Sequence, residues 1–267
     1  MKTLFHIESD KLNGEPQTLL LEIGADNCSY AFLDKANNTI SELKYFAIDE
    51  FELGKHLDSI LNEISAKNFS EVIVCAAYAD ALLIPLKFME DSDPLLQLVY
   101  EHPTQHNLTD SINEWQIVTA YSLPVEVFDL IKASFPSAQF MHAYTPVLRI
   151  YNGLTAEDQI SIHFTTQYFR VLVKKGSQVQ LAQIYSYKTP LDVVYYLLKI
   201  CSELQLAQRD VYIILSGLVE EASALFKELH SYFLNIHFDQ APAVSFPENE
   251  YPQHFFASTY NLAACVS

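Results

Sequence analysis

A duplicated α/β protein, two similar lobes each built on a mixed sheet with helices, is the class this sequence predicts. The first observation behind it is a repeat. Residues 18–76 read TLLLEIG, CSYAFLD, TISELKYFAI, a helical stretch and EVIVCA, and residues 159–215 read QISIHFT, FRVLVKK, QVQLAQIYSY, a helical stretch and DVYIIL. Glu22 falls in step with His163 and Glu71 with Asp210, so the spacing barely drifts. The second observation is the shared order: three antiparallel strands, a crossing helix, then a strand parallel to the first. The third is composition. At 267 residues, 50% hydrophobic and 18% charged, the chain can bury two lobes and is not disordered. Paired lobes usually enclose a cleft where ligands bind.

Each element follows from its pattern. Leu19, Leu20, Leu21 and Ile23 form a run buried on both faces, as a central strand requires. Tyr30 and Phe32, then Leu43 and Tyr45, continue in strands around the turn 35–38. Leu53, Leu57, Ile60, Leu61 and Ile64 recur at helical spacing, with Glu52, Lys55, Asp58 and Glu63 outside the stripe. Val72–Val74 closes the first copy as a buried strand. In the second copy 174–177 is the turn, Leu191, Tyr195, Leu198 and Cys201 the expected buried stripe, and Val211–Leu215 the closing strand. Between the copies the sequence suggests an extended segment at 81–89, a short helix near 94–101 and a strand at 117–122. A helix from Pro124 to Ser134, a strand at 138–143 and a helix at 146–151 follow, leading to Asn152-Gly153 as a boundary. A helix at 219–232, a strand at 235–238, a loop at 242–252 and a last helical segment at 254–264 complete the chain.

Charge and composition exclude several functions. Sixteen Lys and Arg against 33 Asp and Glu give a net charge of −17. Such a surface repels phosphate backbones and anionic lipid, so direct nucleic-acid binding is not expected, while a basic partner is allowed. The N-terminus becomes charged before an apolar core of signal-peptide length appears, and no oily run is long enough for membrane insertion. Cys28, Cys75, Cys201 and Cys265 are scattered through apolar runs and read as reduced thiols, so a cytoplasmic location is expected. Only six glycines occur, roughly a third of ordinary usage. Phosphate-cradling loops need glycine to bring backbone N–H groups to the anion, so this scarcity argues against a working nucleotide enzyme.

The arrangement resembles the actin-like, ribonuclease H-like fold of sugar kinases, the heat-shock ATPase domain and the pilus-assembly and secretion adaptors. The resemblance covers nearly the whole chain. Residues 124–143 followed by 145–150 look like the helix–strand–helix route between lobes, and Phe255–Ala263 looks like the terminal helix that such adaptors return to lobe one. Leu83–Phe88, Leu123-Pro124 and His142-Ala143 look similar to an uncharacterised bacterial actin-like family, for which a fold but no activity is implied. The resemblance implies a mixed five-stranded sheet in each lobe, with lobe one at 1–152 plus the C-terminal helix 253–267 and lobe two at 153–252.

In active members of that fold a strand ending Asp-x-Gly holds hydrated Mg²⁺ and cradles phosphate. Here the equivalent loop carries Glu22, Gly24, Asp26 and Ser29. Glu22 can still contact a metal through water, but its extra methylene shifts the carboxylate, and the favoured reading is a strand-end acid facing solvent. The second loop, His163, Phe164, Thr165, Thr166 and Gln167, has neither acid nor glycine, although both threonine hydroxyls can donate. The turn that binds nucleoside keeps Ser216 and a single Gly217, which a strand-to-helix turn needs in any case. His102 and His106 have a zinc-like spacing, but Pro103 disfavours the aligning helix, so they read as loop residues. Glu90, Asp91 and Asp93 read as a solvated acidic loop. Tyr185, Tyr187, Tyr195 and Tyr196 read as packing residues or as a partner surface. The expectation is a non-catalytic binding or scaffolding protein with a degenerate nucleotide cleft, no cofactor and a protein partner. A divergent Mg–ATP enzyme or kinase and a small-metabolite sensor are the alternatives.

Overall fold

The computed structural model describes residues 1–9, 17–89, 104–150, 158–240 and 244–266. The helix expected near 94–101, the acidic residues Glu90, Asp91 and Asp93, His102 and the Asn152-Gly153 boundary lie outside them. The chain divides into two compact units, Met1–Ile150 with Pro242–Asn249 and Thr259–Ser267, and Tyr151–Ala241 with Glu250–Ser258.

The first unit contains strands β1 (Lys2–Glu8), β2 (Gln17–Gly24), β3 (Asn27–Asp34) and β4 (Thr39–Ala47), helix α1 (Leu53–Ile64) and β5 (Phe69–Ala77). It continues with β6 (Ala81–Pro85), β7 (Gln105–Ile112), β8 (Ile117–Pro124), helix α2 (Val125–Ser134), β9 (Gln139–His142) and helix α3 (Tyr144–Ile150). One sheet runs β1-β4-β3-β2-β5-β9, and a second runs β6-β8-β7. β2 and β3 pair antiparallel while β2 and β5 pair parallel, as a helical crossover demands. Leu57, Ile60, Leu61 and Ile64 of α1 pack on Leu19, Leu21, Ile23, Val72 and Val74 of the sheet. Alternation sends Leu20 and Glu22 to the opposite face.

The second unit contains β10 (Gln159–Phe164), β11 (Tyr168–Lys175), β12 (Gln178–Ser186), helix α4 (Pro190–Glu203), β13 (Tyr212–Gly217), helix α5 (Ala224–His230) and β14 (Asn235–Phe238). Its sheet runs β12-β11-β10-β13-β14. This is the order β4-β3-β2-β5-β9 of the first unit, with the same parallel and antiparallel senses. The repeat seen in the sequence is thus a repeat of topology. The first unit adds β1 at the sheet edge, giving six strands, and adds the β6-β8-β7 sheet.

Four local differences from the sequence reading have clear causes. On α4 the buried residues are Val193, Val194, Leu197, Ile200 and Cys201, whereas Leu191 is 58% and Tyr195 61% exposed. The helix is apolar almost all round, so its period cannot choose a face; Thr189 and Asp192 nonetheless fix its start with reciprocal capping bonds, Pro190 following at the first turn. α5 begins only at Ala224, where the Ser223 hydroxyl caps Phe226 N–H. The 3-10 turn Gln253–Phe256 belongs to the second unit, and α6 (Ala257–Val266) carries residues 259–266 of the first, so the stretch 253–267 is shared. Finally, residues 105–112 form strand β7, which only Asp110 and Ile112 anchor by burial. His106 therefore sits in a strand, its ring 3.6 Å from that of Phe128.

Candidate functional site

The loop of the first unit that would hold metal and phosphate lies at the β2–β3 turn. Glu22 is 4% exposed and pairs across the sheet with Ser29 and Cys75. It does not face solvent, because the sheet buries both faces at this strand end. Asp26 and Ser29 are buried as well, and the Asp26 carbonyl accepts from Ile48 N–H at 2.9 Å. Burial, then the neighbouring Glu22 carboxylate, pushes the Cys28 thiol far up, so it stays protonated and inert. Gly24 is needed for space: a Cβ there would lie 2.7 Å from Asn27 Oδ1 and 3.2 Å from the Ala77 carbonyl.

In the second unit His163 occupies the register position of Glu22, opposite Arg170 on β11 and Ser216 on β13. Ser216 Oγ donates to the Ile162 carbonyl at 3.2 Å, so the Nδ1–H of His163 donates to Ser216 Oγ at 3.1 Å. Burial first, then the charge of Arg170 and the nearby His254, holds the His163 imidazole well below its ordinary value and therefore neutral. Arg170 is itself buried and donates to Ser258 Oγ at 3.3 Å.

The following turn is closed on itself. Thr165 N–H and Oγ1 both donate to the Tyr168 carbonyl, at 2.9 and 3.1 Å, and Tyr168 N–H donates back to Thr165 Oγ1 at 3.3 Å. Tyr187 OH donates to the Thr165 carbonyl at 3.1 Å. Thr166 is exposed beside it. At the third loop Gly217 has φ +75°, and a Cβ would approach the Phe164 carbonyl oxygen to 2.1 Å. This glycine is demanded by backbone conformation and by close strand approach, independently of any ligand.

Two polar groupings escaped the sequence reading. In the first unit Asp110 accepts from His142 N–H at 2.6 Å, Thr145 Oγ1 at 2.5 Å and Tyr121 OH at 3.3 Å. Burial raises the Asp110 carboxyl, against the lowering influence of those bonds. His142 accepts from Tyr144 N–H at Nδ1 and donates from Nε2 to the Tyr78 carbonyl. In the second unit His254 Nε2–H donates to the Val219 carbonyl at 2.7 Å, and its ring stacks on Phe238 at 4.1 Å. The contacts Asp110–His142, Asp110–Thr145 and His254–Val219 join residues more than thirty apart in sequence, so no local spacing announces either group. Of the tyrosines, Tyr185 and Tyr196 stack at 4.3 Å against the second core, while Tyr195 points outward. Among the described residues no three His, Cys, Asp or Glu side chains cluster as metal ligands, and no helix is long and apolar enough to cross a membrane.

Known proteins place this frame. The chain belongs to the family described as protein of unknown function DUF3822, which matches residues 8–236. It is similar to a Bacteroides thetaiotaomicron protein of actin-like ATPase fold and unknown function, with a TM-score of 0.78 and 17% identity over 93% of this chain and 96% of that one. A structure from the PilM-PilN type IV pilus biogenesis complex matches with a TM-score of 0.59 and 14% identity, covering 92% of this chain and 97% of the other. Ethanolamine utilization protein EutJ from Carboxydothermus hydrogenoformans matches at 0.50 and 8% identity, over 96% and 92%. The chain thus carries the actin-like ATPase fold. No curated protein matches the sequence.

Proposed function

We propose that this DUF3822 protein is a non-catalytic actin-like binding or scaffolding protein, whose phosphate loops no longer serve a nucleotide. The observation that carries this reading is the Thr165–Tyr168 turn, where the N–H and hydroxyl of Thr165 are both committed to the Tyr168 carbonyl. A phosphate cradle needs N–H groups turned outward, usually on glycine. The residue in step with Glu22 is a neutral, buried imidazole with a guanidinium alongside, which cannot hold hydrated Mg²⁺ as an acid does. A protein partner is the natural ligand for such a frame, and a structural relative comes from a PilM-PilN complex. Buried, reduced thiols at Cys28 and Cys201 favour a reducing, cytoplasmic setting.

The test is thermal unfolding with and without millimolar ATP and Mg²⁺, on the wild type and on Glu22→Ala. The expected outcome is an unchanged Tm for both proteins. A rise in the wild type that Glu22→Ala abolishes overturns the reading in favour of a divergent ATP-binding enzyme or kinase acting through Glu22, Gly24, Asp26, Thr165, Thr166 and Gly217, since stabilisation follows ligand concentration over Kd.

A further inference from the structure

The second unit contains a cavity of about 540 Å³ directly beyond the Gly217 turn, within the size range of small-ligand sites. Its rim carries Glu220, Glu221 and Glu250, and its walls include Phe238, Tyr251 and His254. All three glutamates are exposed, and none of their carboxylates has a hydrogen bond or an ion pair with any described residue. His254 is 9% exposed, and because its Nε2–H is committed to Val219, Nδ1 is left as an acceptor without a hydrogen bond among the described residues. Uncompensated negative charge, the Tyr251 ring and a bare imidazole nitrogen thus meet around one space. Carboxylates on a rim, an aromatic ring and an imidazole acceptor are together the complement of a spread-out organic cation.

We infer that this cavity is a binding site for a guanidinium group, supplied by an arginine side chain of a basic partner. A planar guanidinium stacks on aromatic faces and donates in a fork to carboxylates and to an imidazole nitrogen, which a compact ammonium does less well. A rim of three carboxylates repels phosphate, so the same site disfavours a nucleotide. The arginine's origin in a protein partner rests on the binding-protein reading above; the preference for a guanidinium does not.

The experiment is an NMR titration of the full chain, following the His254 and Tyr251 ring signals, with N-acetyl-arginine amide, its neutral isostere N-acetyl-citrulline amide, and agmatine. The arginine amide is expected to shift both signals saturably and the citrulline amide to leave them unmoved. The triple variant Glu220→Gln, Glu221→Gln, Glu250→Gln is expected to bind the arginine amide about ten-fold more weakly. Tighter binding of arginine amide than of agmatine supports a peptide source. Tighter binding of agmatine keeps the guanidinium site and overturns the protein source. Equal response to arginine and citrulline amides, no response to either, or unchanged affinity in the triple variant overturns the site. ATP stabilisation in the Glu22 test sinks the preceding reading and leaves this one standing.

Discussion

The β2–β3 turn of the first unit and the β10–β11 turn of the second occupy the same place in the same sheet order, yet their chemistry is opposed. In the first, a buried carboxylate, Glu22, stands beside a protonated thiol; in the second, a neutral imidazole, His163, stands beside the guanidinium of Arg170. Each unit keeps the strand pairing and the core that covers it, while the side chains at the strand ends have diverged. Packing constrains the frame, because a slip of one residue turns every buried side chain outward. The charge at the strand end is free to change so long as something nearby satisfies it.

The two glycines at the strand ends sharpen that comparison first. Gly217→Ala places a Cβ against the Phe164 backbone at positive φ, and a loss of about 3 kcal/mol is expected. Gly24→Ala meets mainly the movable end of Asn27 and should lose about 1 kcal/mol. Denaturant unfolding compares them, and equal losses would mean that the backbone approach at the end of β13 is no tighter than that at the end of β2. Leu197→Ala in the second core should cost a similar amount, about 3 kcal/mol, for a fully buried side chain.

The response to acid comes next. His163 has a depressed imidazole, so below pH of about 6.5 the unfolded chain takes up a proton that the folded one refuses, and stability falls as pH drops. His163→Gln should remove about 1 kcal/mol of that loss between pH 7 and pH 5.5. Asp110, whose carboxyl is raised by burial, acts in the other sense. Its contribution is full in acid and declines as pH rises through the raised value, so the wild type should lose ground to Asp110→Asn on that climb. Parallel pH profiles for the wild type and either variant would remove that residue's assigned part. The smallest effect belongs to Leu191→Ala, which should change stability by less than about 0.5 kcal/mol because the side chain faces outward. A loss near that of Leu197→Ala would restore the buried face first expected for α4.

The repeated frame was legible because its signals are local. Runs such as Leu19–Leu21 and Val72–Val74, the α1 stripe and the turns at 35–38 and 174–177 each state their structure within a dozen residues. β1 and β7 were not legible: one, KTLFHIE, mixes polar and apolar residues and buries only Ile7, and the other, QHNLTDSI, is mostly polar and is a strand because β8 pairs with it. The face of α4 was misassigned because apolar residues surround that helix. Glu22 was read as exposed because a lone carboxylate at a strand end usually is, and the buried pairing with Ser29 and Cys75 involves strands brought together only by folding.

Local hydrophobic period and turn chemistry were therefore sufficient for the duplication, the strand order of each copy and the absence of a glycine-rich phosphate loop. Whether a polar side chain is buried, which tautomer a histidine holds and which carboxylates are left without a counter-charge depend on partners distant in the chain. Asp110 meets Thr145, His163 meets Ser216, and Glu220 shares a cavity with Glu250 and His254 only after the strands have been set side by side. Electrostatics and hydrogen bonding act through space over a few ångströms, whereas sequence reports only neighbours along the chain.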